Sequence, residues 1–147
     1  MKVYLVAGEP SGDKLGAELM AGLKSCAPYE LDFCGVGGFL MEEQGLTSLF
    51  PISEIAVMGI GEILAKYSFL KKRIKNTVDD ILRLRPDALI TIDAPEFSLR
   101  VAKMVRKKLF INTIHYVAPT VWAWRPNRAK KISSYVDHIL ALFPFEP

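Results

Sequence analysis

Cysteine and long apolar runs are scarce in this chain of 147 residues. Its two cysteines, Cys26 and Cys34, form no Cys-x-x-Cys pair and have no histidine near them in the sequence. A disulfide framework or a zinc site is therefore not expected, and reduced thiols are the usual state in a cytosolic protein. No stretch approaches the roughly 18 apolar residues that a membrane-spanning helix needs.

An excess of charge of one sign is also lacking, since 19 basic residues against 16 acidic residues leave a net charge of +3. Half of the residues are hydrophobic, which excludes a disordered polyelectrolyte. The positive excess is too small to indicate nucleic-acid binding. Because the apolar stretch at the N-terminus is too short for a signal peptide, we expect a globular cytoplasmic protein.

Strand and helix patterns alternate along the chain. Short apolar runs predict strands at Lys2–Ala7, Asp32–Val36, Asp87–Ile92, Ile111–Val117 and His138–Leu142. Helical patterns predict a helix capped by Ser11, a helical turn around Met41, a helix from about Ser53 to Arg83 that breaks near Ser68, and a helix from Pro95 to about Lys108. This order predicts an α/β fold, with a parallel sheet and helices on both faces.

Ligands of such sheets bind outside the carboxyl ends of the strands. The first of these ends carries the loop Gly8-Glu9-Pro10-Ser11-Gly12-Asp13, which matches neither a Gly-x-x-x-x-Gly-Lys-Ser/Thr loop nor a full dinucleotide fingerprint. Glu9 and Asp13 would repel a phosphate, so the loop suits sugar hydroxyls or a proton to be removed. The alternative is an ordinary tight turn in which Asp13 favours the helix dipole.

Asp93 ends the most hydrophobic of the predicted strands. Because Pro95 fits the first helical position, Ala94 becomes the capping residue and Asp93 has no evident structural role. A carboxylate at a strand end can act as a general base. Glu96 lies one residue inside the helix and is explained by the helix dipole.

Further along, a histidine is followed by interleaved aromatic and basic residues. His115 lies within a predicted strand, where a lone histidine is more often a core residue than a catalyst. Trp122, Trp124 and Arg125 could stack on a base or hold a phosphate, which keeps a nucleotide or nucleic-acid module open. Equally, the tryptophans could seal the sheet beside a solvated basic helix.

The segment from Ile60 to Lys75 combines bulky apolar residues with a cluster of basic residues. This pattern is typical of a helix that lies on an anionic membrane surface. An amphipathic helix packed on the sheet with a solvated basic side is the alternative. The residues expected to face the membrane are Ile60, Ile63, Leu64, Tyr67, Leu70, Lys71, Lys72 and Arg73.

Taken in order, these segments resemble the lipid-A-disaccharide synthase family. The matching segments are the first loop, Gly35-Val36-Gly37-Gly38 with Met41, Glu54–Gly59, Ile92-Asp93-Ala94-Pro95-Glu96-Phe97, the run from His115 to Arg125, and Leu142–Pro147. Glu96 stands where the family usually has aspartate, and Ala118 and Thr120 stand where serines are common. The resemblance covers only the N-terminal half of an enzyme with the two-domain glycosyltransferase-B architecture.

The resemblance implies a Rossmann-like doubly wound sheet over residues 1–147, forming the acceptor-side domain. It implies an inverting reaction of UDP-2,3-diacylglucosamine with 2,3-diacylglucosamine 1-phosphate, which gives lipid A disaccharide 1-phosphate and UDP. Asp93 is then the expected base, with Glu9 as second candidate. Residues expected to contact substrate are Ser11, Gly12, His115, Trp124 and Arg125.

No cofactor is expected, and no metal, because no pair of carboxylates has a cation-binding spacing. The implied partners are the two acyl-sugars, a C-terminal nucleotide-sugar domain that this chain does not contain, and the anionic surface of the inner membrane on its cytoplasmic face, with no nucleic acid. The isolated chain is expected to be inactive. The alternative is a non-catalytic fragment that binds acyl-sugar or membrane only.

Overall fold

The computed structural model describes residues 1–56, 63–117 and 130–142. The strands are β1 (Lys2–Ala7), β2 (Asp32–Val36), β3 (Thr47–Ser48), β4 (Ala88–Ile92), β5 (Asn112–Tyr116) and β6 (His138–Leu140). The helices are α1 (Pro10–Cys26), α2 (Phe39–Glu43), α3 (Ser53–Ala56), α4 (Ile63–Leu84) and α5 (Pro95–Arg106). The predicted alternation of strands and helices is confirmed.

These strands form one parallel sheet in the order β3-β2-β1-β4-β5-β6. The chain moves outward in one direction from β1 to β3, then crosses back and moves outward in the other direction from β4. The order therefore reverses between β1 and β4, which is the topological switch point where open α/β sheets bind ligands. The prediction of a doubly wound Rossmann-like sheet is confirmed.

Two apolar layers cover the sheet, one on each face. Val3, Leu5 and Ile92 of the strands belong to a buried cluster with Met20 of α1 and Met41 of α2. On the other face, strand residues join buried residues of α4 and α5, among them Tyr4, Val6, Leu89, Ile81 and Val101. All five residues of β4 are buried, as expected for a parallel strand covered on both faces.

Three local predictions differ from the structure. The first helix begins at Pro10 with Glu9 as its N-cap, two residues before the predicted cap at Ser11, because proline fits the first helical turn. Helix α4 continues through Ser68 without the predicted break. The two-residue strand β3 was not predicted, since it is too short to show a periodic pattern.

Within the described residues, no helix is long and apolar enough to cross a membrane.

Candidate active site

The loops after β1 and β4 meet at the switch point. A Cβ atom added to Gly8 would lie only 2.7 Å from the Cβ atom of Ala94, closer than two carbon atoms can pack. Glycine at this position therefore allows the two loops to lie against each other. The residues that follow these strands, Glu9 and Asp93, are brought to one edge of the sheet as a result.

A cavity of about 420 Å³ opens beside this junction. One wall comes from Gly8, Glu9 and the first turns of α5, and the opposite wall from α3 and α4. The apolar lining residues outnumber the polar ones. They are Ile55, Tyr67, Leu70, Ala94, Pro95 and Phe97, with Glu9, Glu96 and Arg100 as the charged groups.

The backbone at the strand ends is strained. Asp93 and Ala94 have φ angles of 46° and 42°, and Val117, at the end of the neighbouring strand, has a φ angle of 74°. Residues with a side chain seldom adopt this left-handed region, and such strain persists only where surrounding contacts hold it. Here the Asp93 amide donates to the Tyr116 carbonyl at 3.0 Å, and the Ser98 hydroxyl donates to the carbonyls of Asp93 and Ala94.

The Asp93 side chain is half-buried at the carboxyl end of β4. Among residues 1–56, 63–117 and 130–142, no hydrogen-bond donor reaches its carboxylate. A carboxylate that accepts no hydrogen bond from these residues is able to accept a proton from a ligand hydroxyl. Asp93 itself does not line the cavity, whose nearest lining residue is its neighbour Ala94.

Glu9 is exposed, lines the cavity and caps α1 through its backbone, whose carbonyl accepts from the Asp13 amide at 3.0 Å. Ser11 is exposed on the first turn of α1. Gly12 is buried against Ala7 and Ile92, so its position serves the packing of α1 on the sheet. The structure thus brings Glu9 to the cavity, but it places neither Ser11 nor Gly12 among the lining residues.

Asp13 has a structural role that the sequence did not reveal. Its carboxylate is 7% exposed and accepts hydrogen bonds from the backbone amides of Gly38, Leu40 and Met41 at 2.8 to 3.1 Å. Three amides of the first turn of α2, which have no partner within that helix, are satisfied in this way. Asp13 therefore fixes α2 to α1, and it is not among the residues that line the cavity.

His115 is fully buried within the sheet, beneath the strained strand ends. Its Nδ1 atom lies 2.8 Å from the Thr91 hydroxyl, and its buried Nε2 atom has no hydrogen-bond partner among the described residues. Burial lowers the pKa of the imidazole from 6.5 to about 4, against the opposing effect of the Asp93 charge. A direct contact between His115 and a substrate was predicted, but no part of this side chain reaches the surface.

Some of the residues predicted to face a membrane are exposed, and others are turned toward the protein. Lys71, Lys72 and Tyr67 are exposed, Tyr67 by 45%. Leu70 is only 8% exposed and belongs to the core under α4, so its predicted membrane-facing position is wrong. Arg73 turns toward the protein, where it pairs with Glu54 and lies over the Phe50 ring at 4.7 Å, so the prediction that it faces the membrane is also wrong.

The remaining predicted residues are not placed by the structure. Ile60, Trp124 and Arg125 lie outside the described residues. Ile63 and Leu64 begin α4, and only their backbone is described.

Sequence reasoning missed one charged residue of the cavity. Arg100 lies on α5 and pairs with Glu96 at 2.6 Å, and its guanidinium lies 6.0 Å from the centre of the Tyr67 ring. The four-residue spacing of Glu96 and Arg100 on a predicted helix was the signal available in the sequence.

Among the described residues, no group of three or more His, Cys, Asp and Glu side chains is arranged to hold a metal ion.

The sheet order and the cleft at its switch point define the class: a Rossmann-like α/β domain. The solved UDP-GlcNAc 2-epimerase from Neisseria meningitidis, bound to UDP-GlcNAc, has the same fold with a TM-score of 0.58 and 13% sequence identity. That likeness covers 96% of this chain and 40% of the epimerase chain.

The particular family follows from sequence. The model of the family described as "Lipid-A-disaccharide synthetase" matches residues 3–147, and the chain belongs to this family. It is 56% identical over 147 residues to the lipid-A-disaccharide synthase of Ruegeria pomeroyi and 50% identical over 146 residues to that of Rhodospirillum centenum. The alignments cover 100% and 99% of this chain, and the chain spans 36% of the length of each relative.

Proposed function

We propose that residues 1–147 form the acceptor-side domain of a lipid-A-disaccharide synthase, with Asp93 as the general base. The observation that carries this proposal is the carboxylate of Asp93, which has no described hydrogen-bond partner and stands on strained backbone at the switch point of the sheet. Strain of this kind collects at functional sites, where it fixes the direction of a side chain. The family relationship supplies the reaction class.

In the proposed reaction, the donor is UDP-2,3-diacylglucosamine and the acceptor is 2,3-diacylglucosamine 1-phosphate. The Asp93 carboxylate takes the proton of the acceptor 6-hydroxyl as that oxygen attacks the anomeric carbon of the donor. The bond from that carbon to UDP breaks, and UDP leaves with the electron pair. Attack opposite the leaving group inverts the anomeric centre and gives the β-1,6-linked disaccharide 1-phosphate.

Glu9 has a different place in this proposal. It lines the cavity but is exposed at the start of α1, where water solvates its carboxylate. A proton acceptor needs a fixed direction, which the strained turn gives Asp93 and the loop does not give Glu9. We therefore assign Glu9 to holding acceptor hydroxyls.

The cavity suits an acylated sugar better than a free sugar. Its walls are mainly apolar, and its charged groups, Glu9, Glu96 and Arg100, lie on the side of the first loop and α5. Apolar walls with a few fixed polar groups are the usual makeup of sites for amphipathic ligands. In this arrangement, the sugar hydroxyls face the charged groups and the acyl chains run toward Ile55 and Tyr67.

The other predicted substrate contacts keep the roles that the family resemblance gave them, except Gly12, which packs α1 on the sheet, and His115. Ser11, Trp124 and Arg125 are proposed to line the edge of the site. Because His115 is fully buried, we assign it to supporting the strand ends from below. Most of the nucleotide-sugar site is proposed to belong to the part of the longer relatives that this chain does not span.

The test is a chimera in which residues 1–147 replace the matching region of the Ruegeria pomeroyi relative. Transfer of radiolabelled diacylglucosamine from the UDP donor to the acceptor, with release of UDP, is the expected result. The isolated chain, mixed with the same substrates, is expected to show no turnover, which separates a complete enzyme from a domain that needs its partner domain. Turnover by the isolated chain, or an inactive but folded chimera, would contradict the proposal.

The alternative, a non-catalytic fragment that binds acyl-sugar or membrane, is favoured by one observation. The chain spans 36% of its relatives, and the donor site is proposed to lie in the remainder. Binding of the acceptor by the isolated chain, measured calorimetrically, is expected under both functions. Only the chimera distinguishes them, because a fragment unfit for catalysis leaves the chimera without turnover.

We also propose that the exposed end of α4 contacts an anionic membrane surface on the cytoplasmic side. Tyr67 and Phe69 are 45% and 38% exposed, and Lys71 and Lys72 are exposed beside them. Exposed aromatic side chains flanked by basic residues are typical of a helix that lies in the headgroup region. A surface of this kind would hold the cleft near acyl-sugar substrates.

Replacing Tyr67 and Phe69 by serine tests this surface by co-sedimentation with phospholipid vesicles. The double variant is expected to lose binding to neutral and anionic vesicles alike, because the apolar contribution is removed. The matched control replaces Tyr29 and Phe110 by serine, an aromatic pair that is also exposed and lies elsewhere on the chain. Equal losses in both variants, or no loss in the first, would remove the proposed surface.

A further inference from the structure

A small hollow of about 260 Å³ lies between α5 and the segment that precedes β6. We call it the α5 hollow. Three positive charges and one negative charge line it, which leaves a net charge of +2. Its lining residues are Pro95, Glu96, Leu99, Arg100 and Lys103 from α5, and Lys131, Ile132 and Tyr135 from the facing segment.

The two walls of the α5 hollow are joined by packing and by one ion pair. Leu99 and Ile132, which are 8% and 5% exposed, belong to one buried cluster. At the end of α5, Arg106 pairs with Asp137. These contacts fix the backbone of Lys131 opposite α5, although the residue itself is exposed.

Two of the three cations in the α5 hollow have no counter-charge. Arg100 pairs with Glu96 at 2.6 Å. Among the described residues, Lys103 and Lys131 form no ion pair, and both are exposed. A phosphate monoester carries a charge of about −2 at neutral pH, so one such group would balance the excess.

The α5 hollow and the cavity of the candidate active site meet at the start of α5. Pro95, Glu96 and Arg100 line both of them. Their charges are opposite in sign, because the cavity has the carboxylates of Glu9 and Glu96 against the one guanidinium of Arg100, a net charge of −1. A ligand that extends across the start of α5 would therefore place its hydroxyls in the cavity and an anionic group in the hollow.

The groove of about 490 Å³ between α4 and α5 is also basic, but it is less well placed for such a ligand. Arg100 is the one described residue that the groove shares with the cavity. The α5 hollow, by contrast, includes Pro95 and Glu96 of the first helical turn, where the dipole of α5 adds to the positive potential. The hollow is thus the nearer basic site for a phosphate joined to a sugar in the cavity.

We propose that the α5 hollow binds the phosphate group of a sugar 1-phosphate whose ring lies in the cavity. Lys131 and Arg100 are the proposed ligands of the phosphate, since a guanidinium has enough donors to serve Glu96 and a phosphate together. The identity of the sugar as the acylated acceptor rests on the proposed function, while the charge of the hollow does not. Because the phosphate is bonded to C1 and the reacting hydroxyl to C6, Lys131 is a binding residue and takes no part in the proton transfer.

The first experiment measures binding to the chain itself by calorimetry. The probes are 2,3-diacylglucosamine 1-phosphate and 2,3-diacylglucosamine, each carried in the same neutral detergent micelles. Lys131→Ala should weaken binding of the phosphorylated probe by about 10-fold, because a charge-assisted hydrogen bond is lost, and should leave binding of the other probe unchanged. Lys131→Arg should restore most of the affinity.

The matched control is Lys107→Ala, which removes the same charge at an exposed position that lines the groove and not the hollow. It should bind both probes as the unmodified chain does. Equal losses in Lys131→Ala and Lys107→Ala would attribute binding to net charge and overturn the inference. Unchanged binding of the phosphorylated probe by Lys131→Ala would overturn it as well.

Two further probes distinguish the source of the phosphate. Inorganic phosphate should bind more weakly than the sugar phosphate, because only the latter also fills the cavity. Inorganic phosphate that binds through Lys131 as tightly as the sugar phosphate would make the hollow a general anion site. UDP that binds the chain through Lys131 would assign the hollow to the donor. Either result overturns the inference.

The second experiment uses the chimera described above and separates this inference from the proposed function. Lys131→Ala should raise KM for the phosphorylated acceptor by about 10-fold with little change in kcat, and it should not alter kcat/KM for the acceptor without phosphate. An equal loss with both acceptors would show a structural role and overturn the inference while the proposed function stands. A chimera without transfer, together with a chain that binds the sugar phosphate through Lys131, would reject the proposed function and keep the site.

Discussion

Asp13 and Asp93 are two carboxylates at the same edge of one sheet, and the chain uses them in opposite ways. Asp13 is 7% exposed and accepts from three backbone amides of α2. Asp93 is half-buried on left-handed backbone, and no donor among the described residues reaches its carboxylate. The difference supports the proposed roles, because a carboxylate that already accepts three backbone hydrogen bonds is poorly placed to take a proton from a ligand.

The same contrast applies to the backbone that carries each residue. Asp13 lies within the regular helix α1, on right-handed backbone that residues with a side chain readily adopt. Asp93 and Ala94 occupy a sparsely populated region, and the hydroxyl of Ser98 and the carbonyl of Tyr116 hold them there. Strain that costs of the order of 1–3 kcal/mol per residue is expected where it fixes a reacting group.

The largest effect is expected on turnover, which should depend on the carboxylate of Asp93. In the chimera, Asp93→Asn should lower turnover by about 100-fold to 10,000-fold, the contribution typical of a general base. The asparagine preserves shape and removes the proton acceptor, so the melting temperature should change little. Steady-state transfer assays and thermal unfolding measure the two quantities on the same preparation.

An Asp93→Asn chimera that keeps its full turnover would show that another group accepts the proton. Glu9→Gln is the paired variant for that case. If Glu9 holds acceptor hydroxyls, this substitution should raise KM more than it lowers kcat. A larger loss of kcat from Glu9→Gln than from Asp93→Asn would indicate instead that Glu9 is the base and that Asp93 holds the acceptor hydroxyls.

The next effect is on the free energy of unfolding, which should depend on Asp13 more than on Asp93. Asp13→Ala leaves three amides of α2 without their acceptor in a buried site, and the free energy of unfolding should fall by about 3 kcal/mol. Asp13→Asn keeps one acceptor oxygen and should cost less. Urea denaturation of the isolated chain measures both values, with Asp93→Ala as the control that should cost under about 1 kcal/mol.

If Asp93→Ala destabilises the chain as much as Asp13→Ala, Asp93 is a structural residue as well. That result would contradict the claim that Asp93, unlike Asp13, does not stabilise the fold. Equal stability of the Asp13→Ala variant and the unmodified chain would instead show that solvent satisfies the amides of α2.

A smaller effect is expected on the pH dependence of stability, through His115, which lies beneath the strand ends. Because burial lowers the pKa of His115 from 6.5 to about 4, the unfolded chain takes up a proton on this residue before the folded chain does. The contribution of His115 to stability is therefore present above pH 6.5 and is lost as the pH falls toward 4, by about 2 kcal/mol between pH 7 and pH 5. Below pH 4 the folded state also binds the proton and the loss levels off.

Urea unfolding across this range, compared between the unmodified chain and His115→Gln, isolates that contribution from the titration of the carboxylates. The control is His138→Gln, since His138 is exposed on β6. Identical pH slopes in the unmodified chain and in His115→Gln would mean that the imidazole is hydrated in solution.

Much of the fold was predictable because buried parallel strands and amphipathic helices leave local patterns. β1 and β2 have the predicted bounds, and Pro95 with the Ala94 cap fixed the start of α5 correctly. The β1–α1 and β4–α5 loops followed from the strand ends. The order of strands in the sheet required the family resemblance, because local patterns do not record which strands are neighbours.

The candidate site was only partly predictable, because its decisive features join residues distant in sequence. Asp13 bonds amides 25 to 28 residues away, and no local signal marks those partners. Leu70 and Arg73 were expected to face a membrane because bulky and basic residues look alike whether they face lipid or the core. Only the packing of α4 on the sheet shows that both turn inward.

The most direct test of the central claim restores a missing carboxylate. The Asp93→Ala chimera is assayed for transfer in the presence of formate, which can enter the space left by the side chain and accept the proton in its place. We predict that formate increases turnover of Asp93→Ala and leaves the unmodified chimera and the Asp13→Ala chimera unchanged. Full turnover of Asp93→Ala without formate, or an equal response of the Asp13→Ala chimera, would contradict the assignment of Asp93 as the base.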